Sequence, residues 1–187
     1  MTTLRNLILL ILTVFFAPLL AQNVNTDARI TEIRRLYDDT NRQIEQAQED
    51  YGASDIYLNE IVVNKGGTSY PAVGIYRKTI RFFYTFGDRE YNPYPDRLIK
   101  ITVTTERSAR HEYAEFVFDA NGLLAFAFEK DDESETRYYF SEGRLIRILR
   151  GSDVIPDPGP DEKSSAQAIV ARKDALTKIF FAVEEVD

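Results

Sequence analysis

Residues 97–150 read RLIKITVTTERSARHEYAEFVFDANGLLAFAFEKDDESETRYYFSEGRLIRILR, short alternating runs broken by turn residues. In Arg97–Glu106, Ile99, Ile101 and Val103 point one way, and Lys100, Thr102 and Thr104 the other. A period of two is the mark of a strand with two unlike faces. Arg110–Phe118 follows, then Asp119-Ala120-Asn121-Gly122, whose Asn-Gly pair signals a hairpin. Leu123–Lys130 is the return strand, Asp131–Ser134 turns, and Glu135–Phe140 pairs back. Ser141-Glu142-Gly143 turns again into Arg144–Arg150. Strands this close together, joined by tight turns, form an antiparallel meander.

The same period extends upstream. Asp55–Val63 is a candidate strand, ended by the turn cluster Asn64-Lys65-Gly66-Gly67. Pro71–Phe86 is long for one strand, and Gly74 marks a bulge or bend in it. Gly87–Asp96, with Pro93 and Pro95, reads as a loop. The flanks are helical. Over residues 26–51, Ile30, Ile33, Leu36, Tyr37, Thr40, Ile44, Ala47 and Tyr51 recur at steps of three and four. Arg34, Arg35, Asp38, Asp39, Arg42, Glu45 and Glu49 make the wet side, Thr26 or Asp27 caps the start, and Gly52 ends it. Residues 151–163, with three prolines and two glycines, read as a loop. Ser164 and Gln167 form a capping box for a helix running to about Glu185, with Ile169, Leu176, Ile179, Phe180 and Val183 on its apolar face. The class is α+β: an N-terminal helix, a seven- to eight-stranded antiparallel meander sheet and a C-terminal helix, with helices over one apolar sheet face.

Glu115–Leu124 and Arg137–Ile146 echo each other, with an aromatic strand end, a polar turn, a glycine and then a leucine. The pattern resembles the hairpin repeats of secreted YD-type β-repeat proteins over these residues. Neither copy holds the Tyr-Asp pair, and two hairpins solving one turn problem is the simpler reading.

Residues 1–21, MTTLRNLILLILTVFFAPLLA, have the layout of a secretory signal peptide. Arg5 is the positive start, Leu7 to Ala17 the apolar run, and Ala21 the small residue before the cleavage point. The run falls short of the ~20 residues that cross a bilayer. Gln22 stands where a lipoprotein signal needs cysteine, so no lipid anchor forms. The expected mature chain is one domain, residues 22–187, with no stable membrane anchor, in the periplasm or secreted. Loss of Arg5 takes the net charge from −7 to −8. Such a balance disfavours nucleic acid and anionic membranes as partners.

The composition removes whole chemistries. With no cysteine, thiol catalysis, disulfides and Cys-ligated metals are out. His111 is the one imidazole, and beside Arg110 and Glu112 it reads as an exposed strand residue. Gly67-Thr68-Ser69-Tyr70-Pro71 approaches a nucleophile elbow but ends in proline and lacks the strand-to-helix setting. Asp131, Asp132, Glu133 and Glu135 cluster on a hairpin tip without the spacing of a calcium loop, so a solvated turn is expected. Phosphate-binding glycine motifs are missing, and basic residues are spread along strands opposite acids. No cofactor and no metal are expected, and the protein reads as a non-enzyme.

Aromatic residues carry the remaining signal. In Phe82-Phe83-Tyr84 and Tyr138-Tyr139-Phe140 they must point to both faces of the sheet. The simpler reading is cross-strand packing under two covering helices; with helices on one face only, the other would hold an open aromatic surface. Tyr91 and Tyr94 in the proline loop, with Phe83 and Tyr138, are the expected contacts for a partner or ligand. The expectation is a non-catalytic binding or scaffolding module of the bacterial envelope, its partner an envelope protein or glycan. The alternative is a periplasmic carrier of a lipid or other apolar ligand.

Overall fold

A computed structural model describes residues 2–50, 54–87, 90–91 and 94–184, with side chains from residue 26 onward. The expected leader, residues 1–21, lies outside the described side chains, and Gly52 outside the described residues. Among the described residues, no helix is long and apolar enough to cross a membrane.

The chain runs α1 (Thr2–Glu49), β1 (Ile56–Val63), β2 (Ser69–Tyr70), β3 (Gly74–Phe86), β4 (Pro95–Arg107) and β5 (Arg110–Phe118). It continues through β6 (Leu124–Lys130), β7 (Glu135–Ser141), β8 (Arg144–Arg150), β9 (Asp153–Ile155) and α2 (Pro160–Glu184). The strands form one antiparallel sheet in the order β1-β3-β4-β5-β6-β7-β8-β9, with the short β2 beside the start of β3. The α+β meander expected from the period-two runs is therefore the observed architecture.

The helices depart from expectation in one respect that matters. They cover opposite faces. Ile30 and Ile33 of α1 pack on Val117, Ala125, Phe126, Tyr139 and Leu149. Ala166, Ile169, Leu176 and Phe180 of α2 pack on Phe82, Tyr84, Ile101, Phe116, Tyr138 and Ile148 on the other side. Alternation along β3, β5 and β7 supplies rings to both faces, so a single covering helix would leave one of them wet. The face that one-sided helices would have left open is the bed of the second helix, as the reading of rings packed under two helices has it. Helix α2, 25 residues and about 38 Å long, matches the roughly 34 Å width of eight strands. Its first turn meets β8 through Glu162 and Arg150, its middle meets β6 through Arg172 and Glu129, and Glu184 reaches Asn59 of β1.

Three hairpins share one irregularity. Tyr84 faces Leu98, Phe118 faces Leu124 and Phe140 faces Leu145. Directly after each pair the register slips, leaving Ile99, Ala125 and Ile146 as extra residues. These are β-bulges, and they put two successive residues on one face. Ala125 and Phe126 both pack under α1 as a result. Leu98, not Ile99, shares the α2 face with Ile101 and Val103, because the bulge resets the alternation that the sequence extends unbroken. The echo between residues 115–124 and 137–146 has this common geometry, with Gly122 and Gly143 both at φ 73°. The hairpin β3–β4 has the bulge without the glycine turn.

Local starts and stops also differ from expectation. Asp27 does not cap α1, since the helix passes through it, and its carboxylate takes Arg147 of β8 at 2.6 Å. Helix α2 starts at Pro160 rather than Ser164. Proline suits the first helical position, and the Gly159 N–H donates to Glu162 Oε2 at 3.0 Å, as the third residue of a capping box requires. Within the expected loop 151–163, Asp153–Ile155 pairs with β8 as a short edge strand. Pro156 and Pro158 then deny that edge further donors.

Candidate functional site

Under α1 the sheet carries a buried charge pair. Lys100 of β4 lies opposite Val117 in register, which sets it diagonally beside Glu115 of β5. Lys100 Nζ is 2.6 Å from Glu115 Oε2, and the two side chains are only 7% and 3% exposed. Such a pair persists only if the remaining polar capacity is met. Lys100 also donates to Asn41 Oδ1 of α1 at 2.6 Å, and its ammonium stands 5.2 Å from the Tyr37 ring centre. Tyr113 donates its hydroxyl to Glu115 Oε2 at 3.0 Å, and the Tyr37 phenol lies beside Glu115 and Asn41.

This network fixes protonation states. Burial first, then the Glu115 charge, pushes the Tyr37 phenol from 10.0 up to about 12. The same two causes raise Tyr113. Both phenols stay neutral donors around the carboxylate.

Beside the network opens a cleft of about 310 Å³ between α1 and the sheet. Glu115 lies at its floor, and Tyr37, Phe126, Phe128 and Tyr139 form its walls. The rings brace one another, with Tyr37 edge-on to Phe126 at 5.0 Å and Phe126 edge-on to Tyr139 at 5.2 Å. Arg34 and Arg137 line the cleft, 5.9 Å over Tyr139 and 5.4 Å over Phe128, together with the carboxylate of Asp38. Arg137 is held by the Gly151 carbonyl and Glu135, each at 2.7 Å. Four further clefts of about 190 to 460 Å³ are also open to solvent, and none of them joins ring walls to a buried charge.

The four expected contact residues do not meet. Phe83 is buried on the α1 face and Tyr138 on the α2 face, so neither presents a surface to a partner. Tyr91 is 83% exposed and Tyr94 is exposed, both in the β3–β4 loop. His111 is exposed, and its backbone N–H donates to Asp132 Oδ2 at 3.3 Å. The acids of 131–135 serve their turn. Asp131 Oδ1 accepts from the Glu133 and Ser134 backbones at 2.9 and 2.7 Å, and those bonds hold its carboxyl below the usual range. Among the described residues no three potential ligands gather as a metal site.

The cleft residues that composition and spacing missed left a faint signal. Glu115 sits between Ala114 and Phe116, and the β4–β5 turn at Ser108-Ala109 brings Lys100 beside it. Arg34 reads as part of the wet side of α1, and it is exposed there while lining the cleft over Tyr139.

No protein-family model, curated protein or solved structure matches the chain.

Proposed function

We propose that this chain is an exported, non-catalytic binding module of the cell envelope whose ligand site is the cleft beneath α1. The observation that carries the reading is the pairing of four braced rings with two guanidinium groups at one opening. Small-molecule and side-chain pockets are built this way, with apolar walls and a few polar groups that orient the guest. A cleft of about 310 Å³ takes one or two rings. That size favours an aromatic or apolar group displayed on an envelope protein or glycan over a diacyl lipid, and an anionic end on the guest would meet Arg34 and Arg137.

The network at the floor supports binding rather than catalysis. Lys100 and Glu115 neutralise each other, and the phenols are driven away from the pH range in which they could exchange protons. Export rests on the leader-like residues 1–21.

Native mass spectrometry of the chain taken gently from its host's envelope tests both parts. The expected spectrum shows a chain starting near Gln22 with a retained ligand or partner. The added mass should vanish in a Phe128→Ala, Arg137→Ala double variant. A bare wild-type chain overturns the binding site, and intact Met1 on membrane-bound material overturns release.

A further inference from the structure

We infer that the end of the sheet formed by residues 63–78 and the β4–β5 turn is a docking tip for an anionic phospholipid surface. The charge pattern is the first ground. From Ile61 to Gly87 the sequence contains no acid, yet it holds Lys65, Arg77, Lys78 and Arg81, in a chain of net charge −7. Folding brings Arg107 and Arg110 to the same end, since Arg107 pairs with both Tyr76 and Arg110. Acids answer four of these bases: Glu60, 2.7 Å from Arg81; Glu112, 3.6 Å from Arg107; Glu106, which faces Arg77 in register; and Asp131, whose carboxyl feels the Arg110 charge. Lys65 and Lys78 carry the excess positive charge of the tip on an acidic protein.

The second ground is what the cations surround. Val73 and Ile75 are each 50% exposed, and Val63 and Tyr70 are exposed beside them. Backbone bonds hold these apolar groups out. Ser108 donates its N–H to the Ile75 carbonyl at 2.7 Å and its hydroxyl to the Val73 carbonyl at 3.0 Å. Asn64 closes the preceding turn by donating to the Thr68 and Tyr76 carbonyls, both at 2.7 Å. Tyr70 stacks on Tyr76, and the charges of Arg107 and Lys78 lie 5.7 and 5.9 Å from the Tyr76 ring centre. Gly74 adopts φ 75°, and a Cβ there would collide with Ser108 Oγ, so the tip needs glycine at that point.

A rigid aliphatic tip ringed by lysine and arginine suits the headgroup boundary of an anionic bilayer. The apolar groups enter the acyl region while the cations meet phosphates. An anionic polysaccharide would ask for ring planes and hydrogen-bond donors rather than exposed valine and isoleucine. The whole-chain charge hides this segregation.

The absence of cysteine makes the test clean. Val73→Cys, and Leu123→Cys at the opposite end of the sheet as control, each carry one nitrobenzoxadiazole label on the chain as its host exports it. Vesicles of phosphatidylcholine with about 30% phosphatidylglycerol should brighten and blue-shift the label at 73 and leave that at 123 unchanged. Pure phosphatidylcholine should give no change. Lys65→Gln and Lys78→Gln should each weaken the partition about five-fold at low salt. Arg144→Glu, at the far end, should not. The proposal is overturned if neither label responds, if both respond alike, or if dextran sulfate moves the label at 73 and vesicles do not.

Discussion

The two faces of this sheet are made by alternate residues of the same strands, yet they are different materials. On the α2 face, Phe82, Phe116, Tyr138, Ile148 and Phe180 close into an apolar core, with the part-buried Arg172–Glu129 pair beside it. On the α1 face, the same strands deliver Lys100, Tyr113, Glu115 and Arg137 among their aromatics. The first face buries mainly apolar area, a direct source of stability. The second accepts the desolvation of an ion pair and leaves a cleft beside it. One sheet can thus divide its duties by residue parity, with stability on one side and recognition proposed for the other.

That division can be broken from the α2 side with the largest effect. Phe180→Ala removes a ring packed at 5.4 Å from Phe82 and 5.1 Å from Tyr84, and should cost about 3–5 kcal/mol in urea unfolding. A loss below about 1 kcal/mol would mean that α2 does not clamp the sheet. The α1 face should respond to a different rule. Lys100→Met strands Glu115 as a buried lone charge and should cost about 3 kcal/mol, whereas adding Glu115→Leu should restore most of it. If the double variant is no better than the single, the network is worth more than its charges.

Alkali should weaken the fold without mutation, through phenols that burial raises on both faces: Tyr37 and Tyr113 under α1, Tyr84 and Tyr138 under α2. The folded chain keeps the Tyr37 and Tyr113 phenols protonated where the unfolded chain releases their protons. Their contribution is therefore complete below pH 10 and is lost as pH rises, through about 12 for Tyr37. Urea midpoints should fall across that window, and Tyr37→Phe with Tyr113→Phe should flatten the fall. An equal fall in that variant would place the sensitivity elsewhere. The smallest effect belongs to Arg34→Ala, on the exposed side of α1, which should shift stability by about 0.5 kcal/mol or less while weakening whatever the cleft retains.

Much of the fold was legible because strands and turns are local. The ends of β5 and β8 coincide with the limits drawn from alternation and turn residues, Arg110–Phe118 and Arg144–Arg150. The bulges at Ile99, Ala125 and Ile146 were not, because each belongs to a pair of strands and only the partner reveals the extra residue. The cleft was less legible still. Arg34 and Arg137 are 103 residues apart and meet only because α1 lies across the middle of the sheet. The aromatic triples carried a correct message about two faces, and the error lay in assigning both helices to one of them.

By itself, the amino-acid sequence determined the antiparallel meander, the two flanking helices, the missing thiol chemistry, and a leader-like start. All of these follow from the spacing of neighbours or from which residue types exist. Only the tertiary structure decided which face each helix covers, that Lys100 and Glu115 share one buried site, and that bases scattered through β1 to β5 gather at one end. Those are facts about residues distant in sequence. Their cause is the requirement that two apolar faces leave water together, which no local window of the chain can express.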